Sequence, residues 1–350
     1  SRRARSGNAL KLQIIDVKRA YFHAPCLRDV FVELPEQDYE EGMCGKLDKA
    51  MYGTRDAAQN WEKQYEQTFL ALGFTQGKSS PCVFYHAERD LRTVVHGDDF
   101  TSAGDDEQLS WLRKELEKSY GLKLRATLGP DSTDDKDVRI LNRVVTWSEA
   151  GLSYEADSRH AEIIIRDLGL TKAKAVTTPG VKESAASGAS TSDALDAPTA
   201  SQYRSLSMRA SYLAQDRADI QFSVKELARD LASPTLLSWE RLKRLGRYLL
   251  HRPRAALLFR PQHRLTFADA RVDTDWAGCL RTRKSTTGGA LVIGGRTIKS
   301  WSTTQAVIAL SSGEAEFYGV VKGASALLGL LSLAADLGVE LKLSLIHISE

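Results

Sequence analysis

The chain has 350 residues, 42% of them hydrophobic and 27% charged, with 48 Lys+Arg against 45 Asp+Glu for a formal charge of +3. That length accommodates two or three domains with real cores, and the balance excludes both a disordered chain and a strongly cationic one. Three surplus charges do not by themselves argue for nucleic acid, which needs a local basic surface; the candidate stretch is 241–254.

Along the chain, residues 10–17 read as a buried strand and 30–34 as a second. Residues 59–72 place Trp61, Tyr65, Phe69, Leu70 and Leu72 at roughly helical spacing before Gly73. Short β-prone runs at 82–86 and 93–96, then 100–103 after a tight polar turn, predict a hairpin. Residues 106–120 have the acidic start and the Leu109, Leu112, Leu116 spacing of a helix closed by Gly121. Together these predict an α+β layer, an antiparallel sheet with helices on one face. An Asp-rich turn at 131–137 leads to strand-like runs at 138–147 and 151–155 and a helix at 159–168. Residues 183–200, rich in Ala, Ser, Thr and Asp without apolar periodicity, read as a linker. Beyond it, 201–250 is all helical with a break near Pro234; strands return from Leu265 and a helix begins near Ser312.

The cysteines, Cys26, Cys44, Cys82 and Cys279, form no Cys-x-x-Cys pair and have no His at ligand spacing, which argues against zinc or a disulfide framework. No secretory leader is evident, so an intracellular, reducing compartment is expected. The apolar window 319–338 is interrupted by Lys322 and Asp336 and reads as a buried amphipathic helix, with no membrane span expected. The chain starts at Ser1 and enters a strand almost at once, the expected mark of a cut inside a domain.

Asp16 ends the apolar run 12–15, where a strand would deliver its carboxylate to the sheet's end; an acid there, taken alone, is far more often a solvated terminus or a helix cap. His96-Gly97-Asp98-Asp99 stands between two β-prone runs, with a Gly that permits the positive φ of a two-residue turn, and a plain polar turn is the competing reading. Three acids meeting on one sheet repel unless a cation shares them, which points to an all-oxygen divalent-metal site suited to in-line phosphoryl transfer.

In order and spacing, Ile15-Asp16-Val17-Lys18-Arg19-Ala20-Tyr21, Val32-Glu33-Leu34-Pro35, Lys46-Leu47-Asp48-Lys49-Ala50-Met51-Tyr52-Gly53, Trp61, Pro81-Cys82-Val83-Phe84 and Gly97-Asp98-Asp99 resemble the reverse transcriptases of copia-type retrotransposons. The resemblance implies a polymerase palm with Asp16, Asp98 and Asp99 as ligands of two Mg2+ (or Mn2+) ions. It also implies Tyr21 as the aromatic gate against a ribose 2′-hydroxyl, with Gly97 and position 56 beside the incoming nucleotide. Two positions depart from the family: His96 replaces Tyr or Phe, and Asp56-Ala57-Ala58 replaces Gln-Ala-Pro. An acid near a triphosphate is electrostatically wrong, so Asp56 is expected to face solvent or a basic neighbour.

The stretches around Tyr203, Tyr212, Arg217-Ala218-Asp219-Ile220 and Arg241–Leu249 resemble the helical connection that follows the palm; the resemblance implies Arg241, Lys243, Arg244 and Arg247 lining a template–primer duplex through its phosphates, with a solvated helix face as the competing reading for each. Asp273-Thr274-Asp275-Trp276, Arg283-Lys284-Ser285-Thr286-Thr287-Gly288 and Ser311-Ser312-Gly313-Glu314-Ala315-Glu316 are similar to the copia-type ribonuclease H domain. That likeness implies Asp273 and Glu316 as metal ligands of a second two-ion site, with Asp275 and Glu314 capping, orienting or facing solvent. The expected domains are a palm with its following strands over 1–182, a linker at 183–200, a helical thumb or connection at 201–262, a C-terminally truncated ribonuclease H-like α/β domain at 263–343, and an artefactual or disordered tail at 344–350. A further catalytic Asp is expected on a strand after the last helix and does not occur, so the nuclease is expected to be inactive in this stretch; the fingers strands before Asp16 are absent, so the polymerase is expected to be incomplete as well. The implied partners are an RNA template, a DNA primer, RNA·DNA hybrid and deoxynucleoside triphosphates, with protease and integrase segments in the same polyprotein and a cytoplasmic particle or the nucleus as the setting.

Overall fold

The computed structural model describes residues 7–181, 193–262 and 267–347, the last four by backbone alone. The first unit is a six-stranded antiparallel sheet in the order β4-β5-β6-β7-β1-β8. Its strands are β1 (Lys11–Val17), β4 (Thr75–Gln76), β5 (Val83–His86), β6 (Leu91–His96), β7 (Asp99–Gly104) and β8 (Leu122–Leu128). A separate ribbon pairs β2 (Phe31–Val32) with β3 (Gly45–Lys46). The strand expected over 30–34 is therefore only two residues long and lies outside the main sheet, with Phe31 exposed.

Helices α1 (Ala57–Ala71) and α2 (Asp106–Glu117) cover one face of the sheet. Trp61, Tyr65 and Phe69 from α1 and Leu109, Leu112 and Leu116 from α2 share one buried cluster with Ile15, Val17, Phe84, Val95 and Phe100. The end of α1 is set locally. Gly73 takes φ +87°, the Gly73 amide donates to the Leu70 carbonyl at 3.0 Å, and the Phe74 amide donates to the Phe69 carbonyl at 3.0 Å while the two rings meet edge to face. Asp105 caps α2 by accepting from the Gln108 amide at 3.0 Å.

The second unit is the sheet β12-β11-β10-β9, built from β9 (Asp137–Ile140), β10 (Arg143–Ser148), β11 (Gly151–Ala156) and β12 (Ala256–Phe259). The run expected as one strand over 138–147 breaks at Leu141-Asn142, both at positive φ, which makes it a hairpin with Ile140 paired to Arg143. Leu-Asn is not the Asn-Gly signature of such a turn, so pattern reading passes over it. Helices α3 (Arg159–Asp167), α4 (Ala197–Ala214), α5 (Gln221–Ala228) and α6 (Leu236–His251) complete this unit.

Ile164 and Ile165 of α3 share a single buried cluster with Tyr203, Leu206 and Leu213 of α4 and Leu242, Leu245 and Leu249 of α6. The boundary expected at 183–200 thus falls inside one core: α3 lies before it, α4–α6 after it, and β12 returns to pair with β11. Residues 197–200 already form the first turn of α4, while 182–192 lie outside the described residues.

The third unit is the sheet β15-β14-β13-β16, from β13 (Phe267–Asp275), β14 (Thr286–Ile293), β15 (Arg296–Thr304) and β16 (Lys342–His347), with α7 (Ser312–Asp336) across it. The tail expected from 344 is corrected here: residues 342–347 form β16, parallel to β13, with Ala270 opposite Leu345 and Val272 opposite His347. A helical crossover between parallel strands gives the chain a sheet slot that a short C-terminal motif search does not reveal. Helix α7 is also less buried than expected. By length and composition its 25 residues suffice to cross a bilayer, but the helix lies along β13 and β14 and buries one stripe, Ala315, Gly319, Gly323, Leu327 and Ala334. Phe317, Val321 and Leu328 stay exposed on its other side.

Candidate active sites

Asp16, Asp98 and Asp99 come together at one end of β1, β6 and β7. Asp16 stands directly opposite Asp99 in the β1–β7 register, a pairing that brings Cβ atoms to about 4.5–5.5 Å on one face. The Val17 amide donates to the Asp98 carbonyl at 2.9 Å, which ties the turn to the end of β1. His96 pairs with Asp99, so Gly97 and Asp98 form the two-residue turn, with Gly97 at φ +63° as that turn requires. Asp98 projects into solvent at the tip.

Two features at this site have no obvious signal in sequence. Trp61 is 1% exposed, and its indole Nε1 donates to the Gly97 carbonyl at 2.8 Å, so α1 grips the turn that carries Asp98. Arg125 on β8 reaches Asp99 at 2.9 Å and gives it a fixed counter-charge, while Lys123 stands opposite Asp16 in the β1–β8 register. Among the described residues, no three acids, histidines or cysteines stand close enough together to hold a metal ion. The donor set still suits a hard cation, because Asp16, Asp98 and Asp99 supply only carboxylate oxygens at one strand end.

After β1 the chain turns at Arg19, a non-glycine residue at φ +54°, a conformation that costs about 1–2 kcal/mol. The turn buries Ala20 and brings Tyr21 against Tyr52, with ring centroids 4.3 Å apart. Tyr21, Trp61, Tyr65, His96 and Gly97 line a cleft of about 120 Å³ beside the turn. Tyr52 belongs to a motif block visible in sequence, but its stacking role appears only in the fold.

Asp56 has the basic neighbour expected of it. Arg28 Nε reaches its carboxylate at 3.0 Å, and the Asn60 amide donates to it at 3.3 Å. Burial pushes the Asp56 carboxyl up, but the hydrogen bond and charge of Arg28 outweigh it and hold it below the usual carboxylate range.

In the third unit Asp273 is exposed on β13 and Glu316 sits in the second turn of α7. Helix and strand approach closely here because of Gly319, one turn beyond Glu316: a Cβ at that position would lie 2.6 Å from Thr274 Cγ2. Gln305 fixes the helix start by donating to the Ala315 carbonyl at 2.8 Å and to the Thr287 hydroxyl at 3.0 Å. Asp275 accepts from the Thr286 amide, and Glu314 accepts from the Leu310 amide and the Tyr318 hydroxyl. The strand expected after α7 is present as β16, and its residues include no acid.

The four basic residues of α6 lie in the flanks of a packed helix whose Leu242, Leu245, Gly246 and Leu249 are buried. Each meets a partner within the chain: Arg241 with Asp230 at 3.5 Å, Lys243 with Glu240 at 2.9 Å, Arg244 with the Thr178 hydroxyl at 2.7 Å, and Arg247 with the Lys174 carbonyl at 2.6 Å.

Residues 6–182 match the family model described as reverse transcriptase (RNA-dependent DNA polymerase). The chain is 26% identical over 345 residues to the retrovirus-related Pol polyprotein from transposon TNT 1-94 of Nicotiana tabacum, covering 95% of this chain and 25% of that protein. It is 28% identical over 341 residues to the Pol polyprotein from transposon RE1 of Arabidopsis thaliana, covering 93% of this chain and 22% of that protein. The chain therefore spans about a quarter of the length of these relatives. In fold it is similar to a foamy viral protease–reverse transcriptase solved in complex with dsDNA, with TM-score 0.52 and 13% identity over 97% of this chain and 60% of that one. With its acids, turn and palm in place, the chain belongs to the reverse transcriptase (RNA-dependent DNA polymerase) family, within the copia-type retrotransposon Pol polyproteins.

Proposed function

We propose that the chain supplies the palm of an RNA-directed DNA polymerase, followed by a ribonuclease H-like unit acting on the RNA strand of RNA·DNA hybrids. The observation that carries this reading is the meeting of Asp16 with the Asp98–Asp99 turn at one strand end, beside the Tyr21–Tyr52 wall.

Asp16 and Asp98 would hold divalent ions, Mg2+ or Mn2+, with Asp99 joining them on release from Arg125. Such ions, when bound, would activate the attacking primer hydroxyl and stabilise the leaving oxygen. The chain's own residues do the positioning. Trp61 holds the turn, and Gly97, with open space where a side chain would be, leaves room for the primer end. Tyr21 presents an aromatic edge where a deoxyribose would sit, and Arg28 keeps the Asp56 charge off the triphosphate. Asp273 and Glu316 would hold the ions of the nuclease, where 2′-hydroxyl contacts select RNA. Arg244 and Arg247 keep N–H donors beyond their internal bonds, which suits phosphate contacts that position without reading sequence. An RNA template, DNA primer and deoxynucleoside triphosphates are the proposed partners, with protease and integrase segments in the same polyprotein and an intracellular particle or the nucleus as the setting.

The test is Mg2+-dependent extension of a DNA primer on an RNA template, abolished by Asp98→Asn, together with Mn2+ binding followed by electron paramagnetic resonance and weakened by Asp16→Asn. The ion pair that engages Asp99 favours a second reading, nucleic-acid binding without catalysis. Hybrid binding that survives Asp98→Asn, with no extension by the parent chain, supports that second reading.

A further inference from the structure

Helix α7 ends on the palm. The Asp336 carboxylate accepts from three successive backbone amides, Lys78 at 2.9 Å, Ser79 at 2.9 Å and Ser80 at 3.0 Å, and from the Ser79 hydroxyl. Successive amides converging on one anion form a concave nest, a strong site for a carboxylate. Both sides of the contact are shaped for it. At Gly77 a Cβ would lie 2.8 Å from Asp336 Oδ2 and 2.6 Å from the Ser80 carbonyl. Gly338 turns the chain at φ +67°, and a Cβ there would lie 2.3 Å from the Tyr85 ring. Between them, Arg92 on β6 donates through Nε to the Leu337 carbonyl at 2.8 Å, and its guanidinium lies over Tyr85. The sheet edge β4-β5-β6 thus receives the capped end of α7 through backbone, side-chain and shape contacts at once.

We infer that the 77–80 loop is a carboxylate socket and Asp336 its plug, a docking latch that fixes the ribonuclease H-like unit on the palm. The inference concerns docking and stands apart from the proposed chemistry. Its consequence is geometric. Glu316 lies twenty residues before Asp336 on one continuous helix, so at 1.5 Å per residue the latch sits about 30 Å from the nuclease acid and sets its direction relative to the palm. The other side of the third unit rests on α5, where Lys225 donates to the Thr286 hydroxyl at 2.8 Å and Gln221 to the Ser300 carbonyl at 3.3 Å. With the latch open, that contact becomes a pivot.

Hydrogen exchange on the full chain tests this, with Asp336→Ala opening the latch from the helix and Gly77→Ala from the socket. In the parent, peptides containing the Lys78, Ser79 and Ser80 amides are protected; in both variants their exchange rises at least tenfold, while peptides over α5 and β14 keep parental rates. Nitroxides attached through ketone side chains introduced at Glu88 and Leu328 give one narrow distance distribution in the parent and a broadened one in each variant. Unprotected 78–80 amides in the parent, or an unchanged distribution in Asp336→Ala, overturns the inference. Loss of protection throughout a variant reports misfolding, and Asp336→Asn, which keeps the side chain's size while removing its charge and one acceptor oxygen, then decides: a broadened distribution supports the latch and an unchanged one overturns it.

Discussion

Lys11→Met tests how β1 is anchored, and with it the strand that carries Asp16. The Lys11 ammonium is 6% exposed and meets Asp106 at 3.0 Å, Asp131 at 2.7 Å and Asp134 at 2.9 Å. Burial alone would lower its pKa, but the three carboxylates outweigh that and hold it charged well above the ordinary lysine range. Gly129 leaves the room: a Cβ there would lie 2.4 Å from Asp134 Oδ2 and 2.9 Å from Lys11 Cγ. Asp106 and Asp131 are 73% and 61% exposed and lose little to water, whereas Asp134, 6% exposed, loses its cation and keeps the bond from the Asp131 amide. Breaking a buried pair costs about 3–5 kcal/mol, and with only one buried acid stranded we expect roughly 2–4 kcal/mol. At an m-value of about 2 kcal/mol/M, the urea midpoint of the palm falls by roughly 1–2 M. The Lys11→Met/Asp134→Asn pair should cost less than the sum of its singles by about 1–2 kcal/mol. A loss below about 0.5 kcal/mol for Lys11→Met would refute the claim that this cluster pins β1.

Trp61→Phe keeps the aromatic packing and removes the donor to the Gly97 carbonyl; we expect a stability loss of about 1 kcal/mol and, in an active polymerase, a drop in extension of roughly tenfold or more, read by urea titration and single-nucleotide incorporation. Gly319→Val drives side-chain atoms into Thr274 and should cost about 1–3 kcal/mol while weakening Mn2+ binding by the third unit, measured by melting and by titration of the metal. At Asp219 burial raises the carboxyl, but the two-pronged bond from buried Arg217 outweighs it, so its folded pKa lies below the ordinary 3.8. A depressed folded value gives stability that is complete above 3.8 and lost as pH falls through and below it. The stability gap between the parent and Asp219→Asn should therefore narrow from pH 5 towards pH 2 in acid titrations followed by circular dichroism; a constant gap would contradict the assignment.

Much of the palm was legible because its signals are local. A short apolar run marked β1, aromatic spacing marked α1, and a glycine between two β-prone runs marked the turn that carries Asp98. By contrast, the single core that joins α3 to α4–α6 depends on contacts across a segment that reads as a linker, and no local pattern reports such closure. Strand β16 took its place only because β13 offered a free edge, and Leu141-Asn142 turned because the flanking strands pair.

The sequence by itself determined the chemistry available: three carboxylates at the palm, two in the ribonuclease H-like unit, an aromatic after β1 and an unusual acid at position 56. Tertiary structure decided how those groups are held. Arg125 is 26 residues from Asp99 in sequence but 2.9 Å away in the fold, Arg28 does the same for Asp56, and Asp336 reaches a loop 257 residues upstream. Charges act through distance in space, and a linear pattern carries no record of which distant strand or loop the fold will bring beside them.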